Sequence, residues 1–259
     1  MLKGLYTAYT GMINEQHRMD TLTNNLANAS TVGFKKEGAT SQSFDDILAV
    51  KIKDRSVGVR NVQPLGLNQP GVKIGENYTD FTQGSFRITD NTYDLALSGE
   101  GFFAIEFTNK AGETSTMYTR AGQFTLTREG FLVTEDGDYV LDVNNRRIQV
   151  NTLLESVIDD NGVISQNGVP VAQIQVADFE DYNYLEKYGE TYYRPVEGAR
   201  RIDGAAEVKS GCLEMANVQI VSEMVNLIAI TRAYESGQKL IQTHDSTLEV
   251  AVTQLGRVP

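Results

Sequence analysis

His17 and His244 are the only two histidines in this chain of 259 residues. A metal centre or catalytic triad would have to bring them together with a third group from elsewhere. Each instead sits in a helical stretch near one end, where it reads as a solvated or interface side chain. The acidic turns Asp136-Gly137-Asp138 and Asp159-Asp160-Asn161-Gly162 look like calcium loops at first sight. Neither keeps the alternating acidic spacing, and no glutamate closes either loop. Hairpin turns are the expectation there. Ser98-Gly99-Glu100-Gly101-Phe102 has glycines but neither the dinucleotide nor the P-loop pattern. The 34 acidic residues always allow some carboxylate pair, yet there is no tryptophan to build a sugar platform. The cluster Tyr182, Tyr184, Tyr188, Tyr192 and Tyr193 is expected in core or subunit contacts. One cysteine, Cys212, excludes an internal disulfide framework and reads as a small apolar residue. The expectation is no catalysis, no cofactor, no metal and no small-molecule substrate.

The elements flanking these residues are more informative. Leu2, Leu5, Tyr9, Met12, Met19 and Leu26 step by threes and fours, with Gln16 and Thr23 in the missing positions. Near the other end Ile220, Leu227, Tyr234, Ile241, Leu248 and Leu255 recur every seven residues, with Met224, Ile230 and Val252 between them. Apolar residues spaced at 3.5 residues stay on one side only where helices wrap one another. The spacing predicts helices over 1–29 and from an N-cap at Asn217 to Leu255. Gly33 and Phe34 are expected to close the first, and Gly256 and Pro259 the second.

Between 76 and 208 the period becomes two, with short strand candidates such as 102–107, 117–119 and 139–143. Turn residues at 109–112, 128–130, 135–137 and 142–145 separate them. The region 35–75 is poorly periodic and punctuated by Pro64, Gly66, Asn68, Pro70 and Gly71. It reads as an extended connector.

Composition narrows the function. The net charge of −11 argues against nucleic acid as a partner, and basic pairs such as Lys35-Lys36 never widen into a patch. No apolar run approaches the roughly 20 residues of a membrane helix. Polar residues 14–18 interrupt the N-terminus too early for a secretory signal.

Three stretches carry a family resemblance. TNNLANASTVGFKK (23–36), with Asn24, Asn25, Ala27, Asn28, Thr31, Gly33 and Phe34, resembles the signature closing the N-terminal helix of bacterial flagellar rod and hook proteins. YDLALSGEGFFAI (93–105) and YTRAGQFTLTREGFLVTEDGDYVL (118–141) resemble that family's central β segment. LEMANVQIVSEMVNLIAITRAYESGQKLIQTHDSTL (213–248) resembles its C-terminal helix. The resemblance implies a structural subunit of the flagellar basal-body rod, a self-assembling driveshaft carrying motor torque to the hook and filament. Length favours a rod protein over the longer hook protein, and the segment FTQGSF (81–86) favours the distal rod over the proximal rod. Alternatives are a hook or proximal-rod axial protein, or a non-flagellar secreted coiled-coil or adhesin protein. The resemblance also implies a homo-oligomeric helical polymer, contacts with other rod and hook proteins, and export by the flagellar type III apparatus without signal cleavage. Its place would be the extracytoplasmic basal body. Phe44 and Leu48 resemble the family's export element.

The resulting expectation is an α+β fold. N- and C-terminal coiled-coil helices (1–34 and 210–259) pair into one helical axial-core domain. A connector (35–75) leads to a central antiparallel β domain (76–209). The assembly seam is Leu2, Leu5, Tyr9, Met12, Met19 and Leu26 with Ile220, Met224, Leu227, Tyr234, Ile241, Leu248, Val252 and Leu255.

Overall fold

A computed structural model describes residues 2–52, 62–110, 112–204 and 206–255. The chain divides into two compact units, Met1–Leu26 with Glu37–Thr79 and Ile220–Pro259, and Ala27–Lys36 with Asp80–Gln219.

In the first unit, α1 (Leu2–Ala27) and α2 (Ile220–Leu255) share space with four strands. β1 (Glu37–Ser43) pairs antiparallel with β4 (Val72–Thr79), and β2 (Ile47–Ile52) with β3 (Val62–Asn68). Within the stretch 35–75, read from sequence as connector, residues 37–43, 47–52, 62–68 and 72–75 are therefore paired strand. Tyr78 stands opposite Gly38, with its ring in the space a Cβ there would need. The expected coiled-coil domain is not formed. Among the described residues there are two α-helices and a large antiparallel β body, and the helices share their unit with the ribbons.

Side chains explain the difference. α1 carries a polar stripe that finds partners on the β1–β4 ribbon. Thr7 Oγ1 donates to Pro70 O at 2.9 Å, Thr10 Oγ1 accepts from Val72 N at 3.4 Å, and Asn14 Nδ2 donates to Ser41 Oγ at 2.9 Å. His17 Nε2 lies 2.9 Å from Asn77 Oδ1. Residues 7, 10, 14 and 17 share one helical face. Heptad spacing states which residues share a side and says nothing of what covers that side. The helices approach each other where side chains are missing. A methyl on Gly237 would stand 2.7 Å from Met12 Cγ, and one on Gly4 would stand 3.2 Å from His244 Nε2.

The second unit is the β body. Its nine-stranded sheet centres on the strand Phe102–Thr108, which pairs with Thr114–Thr119, Tyr139–Val140 and Val176–Phe179. Alternation along that strand serves two cores. Phe103 enters a cluster with Leu95, Leu97, Phe124, Leu132, Ile148 and Ile164. Phe102 and Ala104 enter another with Tyr118, Leu141, Phe179 and Tyr193. With both faces covered, this strand is a near-continuous apolar run. Expected turns bend at Gly112, Gly130 and Gly137, all at positive φ, and at Asn145 with φ 55°.

Candidate assembly site

The last turn of α1 and the stretch after it explain their own residue types. Asn25 is fully buried and spans both backbone groups of Glu37, donating from Nδ2 to the carbonyl at 2.7 Å and accepting the amide at Oδ1 at 2.9 Å. No other side chain of this size offers donor and acceptor side by side except aspartate's protonated form. Thr31 folds back onto Asn28, its hydroxyl donating to Asn28 Oδ1 at 3.1 Å and its amide to Asn28 O at 3.1 Å. Gly33 then takes φ 69°, and a Cβ there would stand 2.3 Å from Ala121 N. Phe34 is fully buried with Lys187 Nζ 4.1 Å above its ring. Asn24 and Ala27 lie on exposed positions of the helix.

Beyond Phe34 lies a buried charge cluster that sequence reading did not anticipate. Lys35 (1 % exposed), Arg120 (3 %) and Glu214 (0 %) meet inside the β body. Glu214 Oε1 accepts from Lys35 Nζ at 2.6 Å and from Gly84 N at 3.0 Å. Its Oε2 accepts from Arg120 at 3.3 Å, and its backbone carbonyl from Gly33 N at 2.8 Å. Lys35 donates also to Thr82 O, and Arg120 to Gly99 O. Burial pulls the Lys35 ammonium below the usual lysine range, with Glu214 opposing that shift. The sequence signal was a lone acid in the apolar stretch 212–216 and a lysine directly after Phe34.

Asn217, expected as the N-cap of the last helix, is used otherwise. Its Oδ1 accepts from Lys36 N at 2.8 Å, and its Nδ2 donates to Asp80 O at 2.8 Å and Thr82 O at 3.1 Å. The helix begins at Ile220. A cap directly flanks the first helical residue, and Asn217 stands three positions before it.

Of the seam residues, Leu5, Met12, Met19, Leu26, Leu227, Tyr234 and Ile241 are half-buried. Tyr9, Ile220, Met224, Leu248 and Val252 are exposed. The side chains of Leu2 and Leu255 lie outside the described residues. Two apolar stripes face outward at helical spacing, one being Tyr6, the seam residue Tyr9 and Ile13 on α1. The other, Val221, Val225 and Ile228 on α2, is 76 %, 61 % and 53 % exposed. Phe44 and Leu48 are both exposed on the ribbon.

His17 and His244 belong to separate contacts of the first unit, and among the described residues no His, Cys, Asp or Glu group is arranged to hold a metal ion. A cleft of about 970 Å³ in the β body is lined by Phe107, Asp136, Asp138, Tyr188 and Tyr192 among others. There Tyr192 donates to Asp136 Oδ2 at 2.8 Å, and burial pushes both the Tyr192 hydroxyl and the Asp138 carboxyl up. Tyr193 is fully buried and Tyr182 donates to Asp178 at 2.7 Å, so both serve the aromatic core. Tyr184 and Tyr188 remain exposed. Cys212 is half-buried on the strand Cys212–Glu214.

Comparison with known proteins adds three family profiles along the chain. Residues 5–35 match one described as flagella basal body rod protein, and residues 96–166 one described as the D1 domain of flagellar hook protein FlgE/F/G. Residues 209–255 match the C-terminal profile of the flagellar basal body rod FlgEFG proteins. Flagellar basal-body rod protein FlgG of Bacillus subtilis is 33 % identical over 97 % of this chain and 98 % of its own length. Rod protein FlgF of Caulobacter vibrioides is 33 % identical over the whole of both chains. Its FlgG counterpart in the same bacterium is 35 % identical over 98 % and 99 %.

Proposed function

The chain belongs to the flagellar basal-body rod and hook protein family and is a structural subunit of the rod, and from that premise we propose how it assembles and carries load. Copies polymerise into an open helical shaft that passes motor torque toward the hook and filament. The role is mechanical rather than catalytic. The observation that carries this reading is the pair of outward apolar stripes, Tyr6, Tyr9, Ile13 and Val221, Val225, Ile228, exposed on helices of a single chain. Burying one such side chain contributes about 1.5–3 kcal/mol. Apolar faces of this kind mark interaction surfaces. A heterologous contact between two unlike stripes propagates as a filament wherever its rotation does not close into a ring.

The half-buried seam residues, Leu227 and Ile241 among them, then set the shape each stripe presents to a neighbouring copy. Other rod and hook proteins meet the same surfaces at the shaft's ends. Export through the flagellar type III apparatus without signal cleavage, with Phe44 and Leu48 as the recognition element, fits their exposure on the ribbon. The extracytoplasmic basal body is the destination.

The test is the double change Val225→Asp with Ile228→Asp. The monomer should keep its circular dichroism and its thermal midpoint while fibre growth in vitro and swimming in a complemented deletion strain are lost. Fibres of normal length and normal swimming would refute the assignment. A closed oligomer of fixed stoichiometry by light scattering would favour the secreted coiled-coil or adhesin alternative.

A further inference from the structure

The Lys35–Glu214–Arg120 cluster has more in it than an internal ion pair needs. Two cations face one carboxylate, all three nearly free of solvent. Such an arrangement gives little net stability and specifies geometry instead. What it specifies follows from the chain positions involved. Residues 33–36 follow α1, residues 214–217 precede α2, and Lys35 and Glu214 stand 179 positions apart. The first leg reaches the second through Gly33 N to Glu214 O, Lys35 Nζ to Glu214 Oε1 and Lys36 N to Asn217 Oδ1. Both legs grip the same short loop, at Asp80 O, Thr82 O and Gly84 N. Arg120 anchors the whole from the body, through Glu214 Oε2 and Gly99 O.

We propose that Glu214 is the pin of a latch: the leg leaving α1 and the leg entering α2 dock onto the β body, and release from it, as one cooperative element. The geometry points to it, because departure of either leg costs the other three bonds at once: Gly33 N to Glu214 O, Lys35 Nζ to Glu214 Oε1 and Lys36 N to Asn217 Oδ1. Removing Glu214 leaves two buried cations without their counter-charge, and separating residues 33–36 takes Lys35 from the carboxylate and the Lys36 amide from Asn217, leaving the second leg only Arg120 and the loop 80–84. The two cores lie on other side chains, so the body does not need the latch to stay folded. The latch does not depend on the assembly proposed above.

Amide exchange of the full-length monomer, resolved residue by residue, tests this. In Glu214→Gln the amides of Gly33, Lys36 and Met215 should exchange faster by one common factor, about a hundredfold. The amides of Ala104 and Leu132, bonded to Gln175 O and Ile148 O inside the body, should keep their rates. Lys35→Met should accelerate the same three amides by a common but smaller factor. The double variant should be no faster than Glu214→Gln alone, since both changes open the same element. Acceleration confined to one leg overturns the proposal, as do additive losses in the double variant. Equal acceleration of the body amides also overturns it, because the cluster would then be ordinary core. Should Glu214→Gln fail to fold, the Lys35→Met exchange pattern decides by the same criteria.

Discussion

Replacing Gly33 by alanine, with Gly189→Ala beside it, isolates the cost of one close backbone approach. The two glycines share a conformation, φ 69° and φ 70°, so both variants carry the same left-handed penalty of about 1 kcal/mol. Their surroundings differ completely. A Cβ on Gly189 meets nothing within 4 Å, whereas one on Gly33 would stand 2.3 Å from Ala121 N and 2.4 Å from Arg120 C. Those atoms are backbone, so no side chain can turn aside. The two backbone segments must part by about 1 Å to reach ordinary contact distance. Parting them costs the hydrogen bond from Gly33 N to Glu214 O, 2.8 Å long, worth about 1 kcal/mol. It also loosens the seating of the fully buried Phe34. The total for Gly33→Ala is about 3–5 kcal/mol, against about 1 kcal/mol for Gly189→Ala. Urea unfolding of the full chain, followed by tyrosine near-ultraviolet dichroism, measures both. If the two variants fall within about 1 kcal/mol of each other at unchanged m-value, the close-approach reasoning is wrong.

Asn25→Ala should cost about 2 kcal/mol, because it strips partners from both backbone groups of Glu37 in a fully buried place; the stability deficit should come with faster exchange of the Glu37 amide. The Glu106–Arg147 pair gives a pH signature. Bidentate hydrogen bonds from Arg147, at 2.7 and 3.0 Å, hold the Glu106 carboxyl below its ordinary 4.5. A depressed folded value means stability that is present above the unfolded value and lost as pH falls through the folded one. The pair is exposed, so its worth is under about 1 kcal/mol. Chemical unfolding at graded pH should therefore show wild type ahead of Glu106→Gln at neutral pH, with the gap closing below pH 4.5; a gap that persists into acid would reject this account.

Much of this molecule was legible from residue order alone. A 3.5-residue period at both ends fixed the helices, because local backbone geometry decides which residues share a face. A period of two, cut by Gly112, Gly130, Gly137 and Asn145, fixed the hairpins of the body, because those turns require positive φ. The family signature around Asn25, Gly33 and Phe34 was visible as a pattern. What its residues do was not. Asn25 serves Glu37 12 positions away, Gly33 makes room for Ala121, and Lys35 meets Glu214 across 179 positions. The ribbon partner of α1 and the use of Asn217 were equally hidden. Periodicity reports the side of an element that must be covered. The identity of the cover, and which buried charges find each other, depends on contacts between distant segments that only the closed tertiary structure brings within hydrogen-bond reach.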